Sequence, residues 1–166
     1  MRYSSGESWY DTAQVCLNGH VFNSTSIRHP KPNQKFCSVC GLDIISKCTD
    51  CGGNIQGKLH TPGVTVVGRW NPPSYCHHCG KPHPWIAEKL NAAKELTELL
   101  DELTPEEQEQ LKMSLDDLVK DGPRTVVAQS RFKRILSKTG PEIATGFKDI
   151  LVDVVSESVK KAIWGQ

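Results

Sequence analysis

Long apolar runs and excess charge are scarce in this chain, and bulky aliphatic side chains are scarce in its first half. Nowhere do about 18 apolar residues follow one another, the length a helix needs to cross a bilayer, so no helical membrane span is expected. From about Asp11 to His83, Leu and Ile are few while Gly, Pro, Asn and Ser are many. Such a segment buries too little apolar area to offset its chain entropy unaided. Net charge is only +1 over 166 residues, which gives little bulk attraction for a phosphate backbone. There is no Gly-x-Ser-x-Gly elbow, His-Glu-x-x-His helix or Gly-Lys-Ser/Thr loop. The common signatures of serine hydrolases, zinc proteases and phosphate-cradling enzymes are therefore missing.

What the first half does have is cysteine. Seven cysteines and one histidine fall into four close pairs: Cys16/His20, Cys37/Cys40, Cys48/Cys51 and Cys76/Cys79. Eight donors make two tetrahedral sites with none left over, and short-range pairs are how structural Zn²⁺ sites are built. An odd number of cysteines, with no apolar signal-type segment ahead of them, argues against a disulfide framework. Gly41, Gly52 and Gly80 each follow the second cysteine of a pair, and Gly19 precedes His20. Glycine at such a corner accepts positive φ and lets backbone N–H groups turn toward thiolates. Two structural zinc ions are expected, with all eight residues as ligands. Thiolate ligands persist in a reducing compartment, so a cytoplasmic protein is expected.

Two pairings of the donors are open. The sequential one closes Cys16, His20, Cys37 and Cys40 on one ion and Cys48, Cys51, Cys76 and Cys79 on the other, as two successive ribbons. An interleaved cross-brace is the alternative, although the seven residues between Cys40 and Cys48 suit a linker between ribbons. Strands are predicted over His20–Ser26 and Val64–Val67, with turns at Pro30, Pro32 and Pro72-Pro73. His29, His60, His77, His78 and His83 read as loop residues rather than ligands, His60 being the one weighed as a substitute in the second site.

The string Trp9-Tyr10-Asp11-Thr12-Ala13-Gln14-Val15-Cys16-Leu17-Asn18-Gly19-His20-Val21, together with Lys35-Phe36-Cys37, Pro62-Gly63-Val64 and Cys76-His77-His78-Cys79-Gly80-Lys81-Pro82-His83-Pro84-Trp85, resembles a bacterial family of uncharacterised double zinc-ribbon proteins. The resemblance spans nearly the whole chain. It implies zinc binding by the residues named above and a bacterial source, and no assigned activity. Residues 1–8 read as an extension ahead of it.

After Trp85 the pattern turns helical. Ile86, Leu90, Ala93, Leu96, Leu100 and Leu103 recur every three or four positions, predicting a helix of about five turns. Thr104-Pro105-Glu106-Glu107 is a capping start for a second helix carrying Leu111, Leu115 and Leu118. A third, from about Thr125 to Lys138, sets Ala128, Phe132, Ile135 and Leu136 opposite a basic face of Arg131, Lys133, Arg134 and Lys138. A fourth opens at Pro141 and carries an apolar stripe from Ile143 to Ile163, either bundle core or an interaction face. The expected class is α+β: a disordered extension over 1–10, a double zinc ribbon over 11–85 and a domain of about four helices over 86–166.

Charge alternates along the chain, at +4 over residues 1–85, −7 over 86–121 and +4 over 122–166. Two Zn²⁺ ions on seven thiolates would lower the first block to +1. The expected function is a non-catalytic scaffold or adaptor. Zinc would fix a surface of Arg69, Trp70, Tyr75, His77, His78 and Trp85 for a protein partner, and the helices would dock or self-associate. Trp85 has the alternative role of sealing the junction. Nucleic-acid binding through Lys35, Phe36, Arg69, Trp70 and Lys81 is a second reading, disfavoured by the charge pattern. An enzyme, metal-dependent or ubiquitin-ligase-like by a cross-brace, is the third.

Overall fold

A computed structural model describes residues 6–65 and 67–165 of the chain. It divides into two compact units, Met1–Ala87 and Glu88–Gln166. The first carries all the strands: β1 (Trp9–Thr12), β2 (Gln14–Cys16), β3 (Val21–Asn23), β4 (Ile44–Ile45) and β5 (Gln56–His60). Helix α1 (Pro84–Glu98) starts in the first unit. The second unit continues with α2 (Pro105–Leu118), α3 (Thr125–Leu136), α4 (Pro141–Leu151) and α5 (Glu157–Trp164). The α+β class is as the sequence indicates.

Two small antiparallel sheets organise the first unit. One has the order β3-β2-β4 and the other pairs β1 with β5. Trp9 faces His60 and Tyr10 faces Leu59 in the second sheet, so the expected extension over 1–10 ends earlier than that range. Residues 1–5 of it lie outside the described residues. The strand expected over Val64–Val67 is not there. Val64 makes only an isolated bridge to Thr61, Thr65 and Val67 are irregular, and Val66 lies outside the described residues. The strand is β5 instead, where Gly57 is required by close approach: a Cβ there would meet the Ser24 carbonyl oxygen at 2.4 Å and that of Asp11 at 2.8 Å. Buried Asp11 ties the loop after β3 down, accepting N–H bonds from Thr12 at 2.7 Å, Ile27 at 2.9 Å and Arg28 at 3.2 Å.

In the second unit, α2 starts as its sequence dictates. The Thr104 hydroxyl accepts from the Glu107 N–H and the Glu107 carboxylate accepts from the Thr104 N–H, a reciprocal capping box with Pro105 in the first turn. The first helix is shorter than five turns, ending at Glu98. The last apolar stripe is split into two helices, giving five rather than four. Its break falls at Val152–Ser156, where the Ser156 hydroxyl accepts from the Val159 N–H and starts a new helix. Most of the stripe is core, with Phe147, Leu151, Val154, Val155 and Val159 buried, whereas Ile143, Ile150 and Ile163 are half-buried and Ala162 is exposed. Phe132 of α3 meets Phe147 and Trp164 edge to face, with ring centroids 5.7 and 6.4 Å away. Half of the basic face of α3 is used internally, since Lys138 pairs with Glu107 and Lys133 donates to the Ala162 carbonyl at 3.1 Å.

Candidate metal centres

Three of the four donor pairs are built alike. In each Cys-x-x-Cys-Gly turn the glycine N–H returns to the first cysteine's carbonyl: Gly41 to Cys37 at 2.8 Å, Gly52 to Cys48 at 3.0 Å and Gly80 to Cys76 at 2.8 Å. These glycines stand at φ of +75°, +72° and +73°, where a side chain would be strained. The residue ahead of each first cysteine bridges the seventh residue beyond it in the same register, Phe36 to Asp43, Lys47 to Asn54 and Tyr75 to Pro82. The fourth pair differs. Cys16 ends β2, His20 precedes β3, and the His20 N–H donates to Cys16 Sγ at 3.3 Å. Antiparallel pairing of Cys16 with Ile44 draws the Cys37–Cys40 turn onto the same end of the sheet.

These turns gather the eight donors into two clusters. Cys16, His20, Cys37 and Cys40 form one and Cys48, Cys51, Cys76 and Cys79 the other, with the donor atoms of each all within 4.8 Å of one another. The grouping is sequential, so the interleaved cross-brace is not the arrangement adopted. An ion bonded tetrahedrally to sulfur at about 2.3 Å holds sulfurs about 3.8 Å apart, and a sulfur about 3.6 Å from an imidazole nitrogen. The sulfurs of Cys16 and Cys40 are 3.8 Å apart, those of Cys48 and Cys79 3.8 Å, and those of Cys51 and Cys76 3.7 Å. His20 Nδ1 lies 3.4 Å from Cys16 Sγ and 3.6 Å from Cys37 Sγ. Disulfide sulfurs would be about 2.05 Å apart, and all seven cysteines are free. The donors fit a tetrahedral metal ion, His20 through Nδ1.

Electrostatics favours a cation in each cluster. The Cys40 N–H, with that of Val39, draws the Cys37 thiol down to about 6. The Cys79 N–H, with that of His78, likewise draws Cys76 down to about 7. Burial pushes Cys16 up to about 11, despite N–H bonds from His20 and Asn18. The Lys81 N–H lowers Cys79, but desolvation and the neighbouring thiols outweigh it and push Cys79 up to about 12. Sulfurs packed this closely cannot all ionise without a positive charge among them.

The other histidines stand outside the clusters. His60 Nδ1 accepts from Arg28, and its ring meets Trp9 at 5.6 Å, so it does not substitute in the second site. His77 and His78 are exposed with ring centroids 4.0 Å apart, His78 resting over Gly53. His83 is buried and stacked on Trp85 at 4.6 Å, and burial, with His77 adding, lowers its pKa. Trp85 is itself buried, which removes it from the exposed surface expected for it. Asp11, whose three N–H bonds anchor a long loop, is the residue sequence reading missed; nothing in its spacing marks it.

The fold and donor sets define a protein of two cysteine-rich, four-donor metal-binding clusters followed by helices. Over residues 9–163 the chain matches the family described as an uncharacterized protein conserved in bacteria (DUF2321), and it belongs to that family. No curated protein and no solved structure matches it. Among the described residues no helix is long and apolar enough to cross a membrane.

Proposed function

We propose that the chain is a non-catalytic zinc-binding scaffold, in which two structural Zn²⁺ ions hold the first unit rigid and exposed side chains engage a protein partner or a second copy of the chain. The observation that carries the reading is closure: each cluster supplies four protein donors at tetrahedral separations. A catalytic zinc keeps one position for water, and these donor sets leave none. A Cys₃His set beside a Cys₄ set suits Zn²⁺, which imposes no geometry of its own beyond the tetrahedron. Free thiols throughout support a cytoplasmic location. Exposed Phe36, Val39 and Leu42 cluster in sequence around the Cys37–Cys40 turn and supply an apolar contact for a partner.

Elemental analysis of reduced protein tests the metal: two zinc ions per chain are expected, with one lost in Cys37→Ser and one in Cys76→Ser. Light scattering and co-purification from the native cell test the scaffold role. A zinc-loaded monomer that recovers no partner removes that role, and a turnover altered by substitution with metal content intact favours an enzyme.

A further inference from the structure

We propose that a concave surface beside β5 binds a small phosphomonoester. The cavity holds about 460 Å³ and is lined by Arg28, His29, Lys58 and His60, with the hydroxyl residues Thr25 and Thr61 at its walls. That volume suits a metabolite-sized ligand. No metal donor lines it, so the proposal stands apart from the zinc reading.

Two cations without a carboxylate partner among the described residues converge on this cavity. Lys81, Lys89, Lys94, Lys112, Arg124, Lys138 and Lys160 each pair with a carboxylate. Arg28 and Lys58 have no such partner among the described residues. Asp11 is the one acidic side chain in the lining, and it is buried with both oxygens accepting backbone N–H groups. Its charge is already spread over the Thr12, Ile27 and Arg28 amides.

Three of the polar side chains left offer donors. Arginine has no acceptor, so the bond from Arg28 Nη1 to His60 Nδ1 makes that nitrogen the acceptor and leaves the ring proton on Nε2. Arg28, Lys58 and His60 together thus offer N–H groups to an oxyanion, and a phosphomonoester supplies the matching acceptors and charge. The walls are tied together in advance: the Lys58 N–H donates to the Ser24 carbonyl at 2.8 Å, the His29 N–H to the Thr25 carbonyl at 2.8 Å, and Asn23 Nδ2 to the His29 carbonyl at 2.9 Å. The backbone of the walls then needs little ordering on binding, which leaves the Lys58 side chain as the main part to be fixed. The lining supplies two formal cations, Arg28 and Lys58, enough for one compact phosphate group rather than for an extended polyanion.

The test is calorimetric titration of the full zinc-loaded chain with inorganic phosphate and with glycerol 3-phosphate at an ionic strength fixed with chloride, while NMR follows the His60 ring. Saturable binding that shifts the His60 signals is expected. Arg28→Gln and Lys58→Gln should each weaken it about tenfold or more, and Lys31→Gln, outside the cavity, should leave it unchanged. Retained zinc content and amide dispersion identify folded variants, and Lys58→Gln keeps the test decisive if Arg28→Gln unfolds. Absence of saturation, or full affinity in folded Lys58→Gln, overturns the proposal. A single-stranded oligonucleotide bound more tightly than glycerol 3-phosphate also overturns it, reassigning the surface to nucleic acid.

Discussion

Gly19 lies flat against Trp85. A Cβ at position 19 would stand 3.0 Å from the Trp85 Cβ and 3.2 Å from its Cγ, and the glycine sits at φ +86°. Its N–H bonds the Cys16 carbonyl at 2.8 Å, within the turn that presents His20. The indole therefore packs on the one donor turn that departs from the common design. Gly19→Ala should suffer both the left-handed backbone and the crowding, costing the first unit about 1–3 kcal/mol. Thermal melting and competition with a chromogenic chelator check it: a lower melting point and faster zinc loss from the first cluster are expected.

Stripping metal with a strong chelator under reducing conditions should unfold the first unit and spare the second. The strands there are two to five residues long, too short to persist without the clusters. NMR should show collapsed amide dispersion for residues up to 87, a retained helical signal and recovery on adding zinc. A first unit that stays folded without metal would contradict a structural role for it.

The Lys138 ammonium, with the Thr104 N–H, holds the Glu107 carboxyl below its ordinary value of 4.5. A carboxylate lowered on folding stabilises the folded state above its unfolded value, and that contribution is lost as pH falls through the folded one. The helical unit should therefore lose stability as pH drops below about 4.5. Glu107→Gln keeps an amide able to complete the capping box and should flatten this acid limb. Melting curves from pH 7 down to pH 3 compare the two, and identical slopes would exclude the pair as a cause.

Phe132→Ala should cost the helical unit about 3–5 kcal/mol, because the ring is fully buried between Phe147 and Trp164. Chemical denaturation should report that loss while zinc content stays unchanged. A cost under about 1 kcal/mol would mean that the site collapses around the missing ring.

Local chemistry was the legible part of the sequence. The Cys-x-x-Cys-Gly turns and the Thr104 cap each close within a few residues, so spacing alone determines them. Pairing between distant segments was not legible. Gln56–His60 reads as loop because it holds Gly57, Lys58 and His60, yet it becomes β5 by bonding to Trp9–Thr12 far up the chain. Val64–Val67 reads as strand on β-propensity, but only Val64 finds a partner, Thr61, among its described residues. The helix break at Ser156 was hidden because apolar periodicity runs across it, and one hydroxyl bond decided it. The cavity beside β5 draws Arg28 and Lys58 from separate segments, which no spacing rule connects.

The three matched cysteine turns separate support from display. Ser38-Val39, Thr49-Asp50 and His77-His78 stand exposed at their tips and contribute no donor atom. Through Val39 and His78 it is a main-chain amide that steadies the thiolate, a service any residue except proline can render. Apart from the His78 ring over Gly53 and the Asp50 carboxylate paired with Lys81, these tips are interchangeable bits on a common handle, open to re-engineering for new recognition without disturbing the cage beneath.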